Sequence, residues 1–382
     1  MQLLDLVLAD FRNLAELHLV PSPHVTVTFG QNGQGKTNLL EAVYVLSTLK
    51  PLRPAKLIDL IRFGAEQAQI TGRFSVKGTS REISVRLQAS SRQAFVDGKR
   101  AQNLEDYFGS VSVVSFTPDD LEIVKGGPDQ RRRFLDRAVF NRFPAFLSES
   151  RSYALALKSR NRLLKEGADL PYVDVYDEAL ATHGARIWCR RDRLLFELAP
   201  RIERAFEGIA RAGLGLRCRY LRNGFPTDDV GPKEPQLAAV LKQALRERLP
   251  RDAERGFTSI GPHTDDLEFA LGEHSARAFA SQGQQRALVL AWKIAEIENL
   301  QDANGLLPLL LLDDVSSELD RTRNDYLMKY IAGIGAQVFL TTTDPSLVAG
   351  ATASDTVWYE VKAGVVTCSQ DAAKARRPAS AG

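Results

Sequence analysis

Cysteine is scarce in this chain of 382 residues, and Cys189, Cys218 and Cys368 have no paired spacing. That excludes a disulfide framework and a cysteine-based zinc site, and it fits a reducing compartment. Long apolar runs are also missing. The longest, LLPLLLL at 306–312, is too short to span a bilayer. The opening MQLLDLVLADFRNL carries Asp5 and Asp10 and no basic leader, so it does not read as a signal peptide. A cytoplasmic protein without a membrane partner is expected. Charge of one sign is lacking too: 50 Lys and Arg against 47 Asp and Glu leave a net +3, which identifies no polyanionic ligand. No internal repeat and no sustained heptad pattern is present, which excludes a long coiled-coil arm.

What is present is the composition of an ordinary globular protein, 44% hydrophobic and 25% charged, in a chain long enough for two lobes. The pattern is α/β. HVTVTF (24–29) reads as a buried strand, and KTNLLEAVYVLSTL (36–49) has helical length and apolar spacing. Strands are expected at 69–74, 82–87 and 111–116, with a hairpin turn at Asp97-Gly98. From 125 to 212 the chain turns helical and rich in Arg and Ala. A strand-like GLGLRCRYL (213–221) and a turn-rich loop (223–235) follow, and then LLPLLLLDD (306–314), a helix at 321–334 and AQVFLTTT (336–343) resume the α/β pattern. Both ends thus belong to one discontinuous sheet-bearing lobe, 1–124 and 250–368. A mainly helical lobe, 125–249, is inserted, and the polar tail 369–382 is expected to be disordered.

GQNGQGKT (30–37) matches the phosphate-binding pattern G-x-x-x-x-G-K-[ST] between a strand and a helix. Gly30, Gly33 and Gly35 let backbone N–H groups converge on phosphate oxygens at the helix N-terminus. Lys36 would neutralise phosphate charge and Thr37 would ligate Mg²⁺, with Gln31, Asn32, Gln34 and Asn38 completing the nucleotide-binding stretch. Such a site needs a carboxylate from a neighbouring strand. LLLLDD supplies Asp313 for the metal and Asp314 to orient an attacking water.

A second anion-binding helix start lies far downstream in FASQGQQR (279–286), where Ser281, Gln282, Gly283 and Gln284 offer neutral donors. With Gln285 and Arg286 this stretch resembles the signature turn of the ABC-type ATPases, which takes the γ-phosphate of ATP held by a second copy. The order of the motifs supports the resemblance: P-loop, signature, LLLLDD, then SSELD (Ser316, Ser317, Glu318, Leu319, Asp320), which is similar to the D-loop. The FRN at 11–13, FGQNGQGKTNLLEAV, FTPDDLEIVKGGPDQRRRFLD, LKSRNRLLK, GPHTDDLEF, FASQGQQR and LLLDDVSSELD together resemble the bacterial RecF family, SMC-like ATPases of DNA replication and repair. The interval from Thr37 to Ser281 has room for a compact lobe and none for an SMC arm.

The resemblance implies an ABC-type ATPase lobe with an inserted helical lobe, ATP and Mg²⁺ as ligands, and slow DNA-stimulated hydrolysis. It also implies an ATP-dependent homodimer on duplex, gapped or junction DNA, and RecR as partner with RecO and RecA acting indirectly. Arg12 and Asn13 would reach the nucleotide. Several positions depart from the general ABC pattern. Thr343 and Asp344 stand where a switch histidine is usual, no Q-loop glutamine follows 111–116, leaving Thr117 and Asp119, and Asp314 replaces the usual Glu. Slow turnover would follow from poorer water positioning. His263 lacks a second ligand at metal spacing and reads as structural, and Asp265 and Asp266 have no assigned role. Basic clusters suggest DNA contacts at Lys125, Arg131, Arg132, Arg133, Lys158, Arg160 and Arg162. The alternatives are a nucleotide-dependent scaffold with negligible turnover and a transporter nucleotide-binding subunit.

Overall fold

The computed structural model describes residues 1–102, 107–108, 111–167, 170–210, 213–225, 233–351 and 355–369. The tail expected to be disordered lies, apart from Ser369, outside the described residues. Contacts divide the chain into two units, Met1–Asp119 with Ile297–Gly382, and Asp120–Glu296. Residues 250–296, grouped with the ATPase lobe from the sequence, lie by contact in the second unit.

The strands in chain order are β1 (Gln2–Phe11), β2 (Leu14–Leu19), β3 (Val25–Phe29), β4 (Gln67–Val76), β5 (Thr79–Gln88), β6 (Arg92–Val96), β7 (Lys99–Arg100) and β8 (Val113–Phe116). They continue as β9 (Leu216–Leu221), β10 (Asp266–Leu271), β11 (His274–Ser275), β12 (Leu309–Asp313), β13 (Val338–Thr342), β14 (Val357–Lys362) and β15 (Val365–Cys368). The first unit carries two six-stranded sheets. One, ordered β2-β1-β4-β5-β6-β7, is antiparallel. Its β4, QAQITGRFSV, buries alternate residues, as a sheet with one wet face does. Asp97 and Gly98, at φ 50° and 75°, make the expected turn between β6 and β7.

The other sheet, β15-β14-β3-β13-β12-β8, is parallel except for β15. β12 (LLLLD) and β13 (VFLTT) are buried along their whole length, the condition of a parallel strand covered on both faces. Pro308 has no N–H for the ladder, so β12 begins at Leu309 rather than at 306. The helix Lys36–Thr48 leaves the end of β3 through the glycine loop, and β12 ends two strands away, with β13 between them.

The second unit contains the helices Pro128–Arg142, Phe146–Glu166, Leu170–Ala210 and Glu234–Arg255 and the small antiparallel sheet β11-β10-β9. Its basic clusters do not all face solvent. Tyr153, Ala156, Arg160 and Leu164 form one buried helical stripe, so Arg160 points into the core. There its guanidinium donates to Asp177 (2.6 Å), Asp252 (3.0 Å) and Thr258 (2.9 Å). Arg131 is likewise buried, donating twice to Asp266 (2.6 and 2.7 Å) and to the Gly126 carbonyl. These two residues are corrected from expected DNA contacts to internal ion pairs, because sequence density counts charges without saying which way they face. Arg132 is mostly covered and is engaged by Asp129 and the Asp265 carbonyl. Lys125, Arg133, Lys158 and Arg162 are exposed.

Asp266 therefore holds Arg131, while Asp265 accepts from Trp188 Nε1 (2.6 Å), the Asn223 N–H (2.9 Å) and the Tyr220 hydroxyl. His263 is structural as well. Its Nδ1 lies 2.7 Å from the Tyr153 hydroxyl and its Nε2 3.0 Å from the Thr258 carbonyl, and burial lowers its pKa.

Removing the central cation strands two buried carboxylates. Arg160→Leu is expected to cost about 3–5 kcal/mol, seen as a lower urea midpoint at unchanged slope; an unchanged midpoint would mean that Arg160 holds nothing together.

Candidate functional site

The glycine loop is shaped by what surrounds it. Gly35 has φ 113°, and a Cβ there would overlap the Asn13 side chain, so only glycine fits. The Asn13 amide donates to the Gln34 carbonyl (2.9 Å) and accepts from Asn38 Nδ2 (2.8 Å). Lys36 is buried, and its ammonium donates to the carbonyls of Gly30 (2.7 Å) and Gln31 (2.9 Å), which puts the charge under the loop. Burial lowers its pKa, opposed by Asp314 and Asp313. The side chains of Gln31 and Asn32 are exposed.

Thr37 Oγ1 donates to Asp313 Oδ1 at 2.7 Å, across 276 residues of sequence. Thr341 on β13 donates to the same oxygen (2.9 Å), and Arg53 donates to Oδ2 (2.6 Å). Asp313 is 2% exposed, so these contacts replace water around a buried charge. Thr341 and Arg53 were missed from the sequence. Nothing in the composition of PLRPAK distinguishes Arg53, and Thr341 reads as one more β-branched strand residue. A hydroxyl and a carboxylate are hard oxygen donors, and Asp313 already attracts a cation in the form of Arg53, so the residues fit Mg²⁺.

Asp314 adopts φ 50°, unusual for a non-glycine residue, and its N–H is held by Thr341 Oγ1 (2.9 Å). Its Oδ1 is buried and has no hydrogen-bond partner among the described residues. Burial raises the Asp314 pKa, partly offset by Ser317 and Lys36. Strain, an unpaired carboxylate oxygen and a raised pKa beside a phosphate loop suit a group that accepts a proton from water.

Arg12 is placed differently from the expectation. Its guanidinium grips Glu41 at 2.8 and 3.1 Å and the Asp59 carbonyl at 2.8 Å, so in this arrangement it braces the P-loop helix. Of SSELD, Ser316 is buried, Ser317 donates to the Asp314 carbonyl (2.8 Å), and Asp320 caps the helix Arg321–Ile334 through the Arg323 N–H (3.1 Å). Leu319 is half-buried, and the Glu318 side chain lies outside the described residues. Thr343 is exposed. Asp344 is folded into its own turn, its carboxylate taking the Ser346 N–H (2.8 Å) and its N–H bonding Thr342 Oγ1 (3.1 Å).

In the second unit Ser281 and Gln284 cap the helix Gln282–Asn304 reciprocally. The Ser281 N–H donates to Gln284 Oε1 (2.8 Å) and the Gln284 N–H to Ser281 Oγ (3.2 Å). Gln285 turns inward and donates to the Ala280 carbonyl (2.8 Å). Ser281 and Gln282 are exposed, with Gly283 and Arg286 partly so, and the free first-turn amides of such a helix start attract an anion.

The RecF/RecN/SMC N-terminal domain family matches residues 2–366. The DNA replication and repair protein RecF of Myxococcus xanthus (strain DK1622) is 62% identical over 378 residues, 97% of this chain and 98% of that one. The protein of the same name from Anaeromyxobacter sp. (strain Fw109-5) is 53% identical, with 96% and 99% covered. The chain belongs to the RecF family. A solved structure of the recombination mediator protein RecF in the RecFOR pathway, RecF-ATP, matches with TM-score 0.86 and 30% identity over 96% of this chain and 99% of that one. An Smc head bound to the C-winged helix domain of ScpA matches at TM-score 0.56 and 16% identity over 98% and 100%, a likeness of fold alone. The fold is thus the α/β ABC-type ATPase fold shared by RecF and SMC heads. No described helix is long and apolar enough to cross a membrane.

The Arg53 contact is testable in this chain without any turnover. Arg53→Ala leaves the buried Asp313 without its cation, so the thermal midpoint should fall in chelator and recover in millimolar Mg²⁺. A midpoint equally low in both would mean that no divalent cation replaces the guanidinium.

Proposed function

We propose that this member of the RecF family binds and hydrolyses ATP in recombinational DNA repair and at replication forks, working as an ATP-dependent dimer. The observation that carries the reading is the Thr37–Asp313 hydrogen bond, which ties the P-loop to the end of β12, together with the buried Lys36 ammonium and the one unpartnered oxygen of Asp314. The glycine-loop amides and Lys36 take up the phosphates. Thr37 and Asp313 would hold Mg²⁺, which when bound would supply positive charge against the phosphates. Asp314 orients the water and accepts its proton.

The capped helix start at Ser281–Gly283 is an anion site separate in sequence from the P-loop, and a second copy's γ-phosphate is the ligand we assign to it. Dimer stability would then follow nucleotide state by linkage. The residues 250–296 that carry it work functionally with the ATPase lobe in this reading. Of the cations expected to meet DNA, Lys125, Arg133, Lys158 and Arg162 are exposed and are the ones we assign to DNA phosphates, contacts that position a duplex without reading its sequence. As the related recombination mediator belongs to the RecFOR pathway, RecR is the expected direct partner, with RecO and RecA further along, and ATP binding would favour a clamp on gapped DNA. A scaffold with negligible turnover is the second reading. Asp344, committed to its own turn, supplies no evident base where a switch histidine is usual, which favours slow chemistry.

Sedimentation should show a dimer with ATP and Mg²⁺ and a monomer with ADP or in Lys36→Met; a nucleotide-independent mass would contradict the reading. The raised Asp314 pKa fixes the sign of the pH effect. A base must be ionised, so turnover should fail on acidification at a higher pH than an ordinary carboxylate would allow, and Asp314→Asn should abolish turnover while ATP still binds. Turnover by Asp314→Asn comparable with the parent would remove Asp314 from the chemistry.

A further inference from the structure

We propose that the β14–β15 hairpin turn, Ala363-Gly364, is a positioning element that locks one P-loop peptide into its phosphate-binding orientation. The inference rests on the P-loop being the nucleotide site.

β14 lies beside β3 in parallel register, from Val357 opposite Thr26 to Glu360 opposite Phe29. The hairpin it forms with β15 therefore reaches the level of the loop that leaves β3. The Gly364 N–H donates to the Gln34 carbonyl at 3.0 Å, and the Ala363 N–H donates to Gln34 Oε1 at 2.6 Å. The Gln34 carbonyl takes a second bond, 2.9 Å, from Asn13 Nδ2. Both donors thus converge on one carbonyl from outside the loop.

The consequence follows from peptide planarity. In a trans peptide the C=O and the following N–H point in opposite directions, and no soft rotation exists between them. Pinning the Gln34 carbonyl toward Asn13 and Gly364 therefore aims the Gly35 N–H the other way, away from the pinning groups. Gly35, at φ 113°, would let that peptide flip at little steric cost, so the loop needs the lock that its own glycine cannot provide. The fit is close: a Cβ on Gly364, φ 79°, would overlap the Asn13 carbonyl oxygen. Gln34 was grouped with the nucleotide-binding residues. Its side chain instead faces the hairpin, so its role is to hold the loop.

A matched control exists within the same unit. Lys77-Gly78 turns between β4 and β5 with φ 50° and 81°, nearly the same conformation as Ala363-Gly364 with 48° and 79°. A Cβ on Gly78 meets nothing. Gly78→Ala thus imposes the same backbone strain without touching the P-loop.

Equilibrium ADP and ATP affinities, thermal midpoints and the Gly35 amide resonance, one of 27 glycines under selective ¹⁵N-glycine labelling, would be measured for Gly364→Ala, Gly78→Ala and the parent. Losing one oriented donor should weaken both nucleotides about tenfold in Gly364→Ala. Gly78→Ala should bind as the parent does, and the ADP-induced shift of Gly35 should be lost in Gly364→Ala alone. If Gly364→Ala does not fold, Asn13→Ala removes the other donor to the same carbonyl and should show the same weakened binding and lost shift. Parental affinity and an intact Gly35 shift in the folded variant would overturn the lock, as would equal losses in Gly78→Ala. Failure of the unmodified chain to bind ATP would overturn the proposed function and the lock together.

Discussion

A carboxylate that closes a fully buried strand has to be compensated from elsewhere, and the first unit is arranged around that requirement. Asp313 ends a run of leucines that carries no charge partner. Its compensation comes from three separate segments: Thr37 at the end of the P-loop, Thr341 on the neighbouring strand, and Arg53 beyond the P-loop helix. Satisfying one buried charge thereby fixes the P-loop helix against β12 and β13. Asp314, one residue further on, is the residue left over. It has the strained backbone and the unpaired oxygen that the arrangement around Asp313 does not relieve. Adjacent aspartates thus sit in different surroundings, one fully compensated and the other with one buried oxygen unpartnered.

The same rule organises the second unit. Arg160, Arg191 and Lys293 are buried cations, each held by acidic or aromatic groups from other elements. Arg191 donates to Asp136, the Tyr220 hydroxyl and the Pro262 carbonyl, and the Lys293 ammonium lies 4.6 Å from the centre of the Phe134 ring and 3.6 Å from Asp120. Burial lowers the Lys293 pKa, opposed by Asp120 and Glu296. Such pairs add little net stability but are expensive to break singly, so they specify how the helices meet. The surface that remains for a polyanion is correspondingly smaller than the count of arginines suggests.

Much of this was legible in the sequence, because the informative features were local. The glycine loop between a strand and a helix, the LLLLDD strand, the Ser281 helix start and the Asp97-Gly98 turn each need only their neighbours to be read. What escaped depends on long-range geometry. Arg53 meets Asp313 across 260 residues, and no spacing within PLRPAK announces it. The hairpin β14–β15 acquires its meaning from lying next to β3, which no local pattern encodes. Arg160 was readable and was misjudged: it shares the helical spacing of Tyr153, Ala156 and Leu164, a period that outweighs the basic composition around it. Arg12 was expected at the nucleotide from the resemblance alone, and its contact with Glu41 on the P-loop helix, 29 residues on, has no local signal.

The central claim is that the phosphate held by one chain's P-loop is completed by Ser281 and Gly283 of another. It is tested most directly by mixing Lys36→Met with Ser281→Arg and measuring ATP turnover with duplex DNA, each variant alone and both together. A mixed dimer contains one site in which Lys36 and Ser281 are both intact. The account predicts two inactive variants whose mixture regains activity. A mixture that stays as inactive as its parts would contradict it, leaving the helix start at Ser281 without a role in a partner's site.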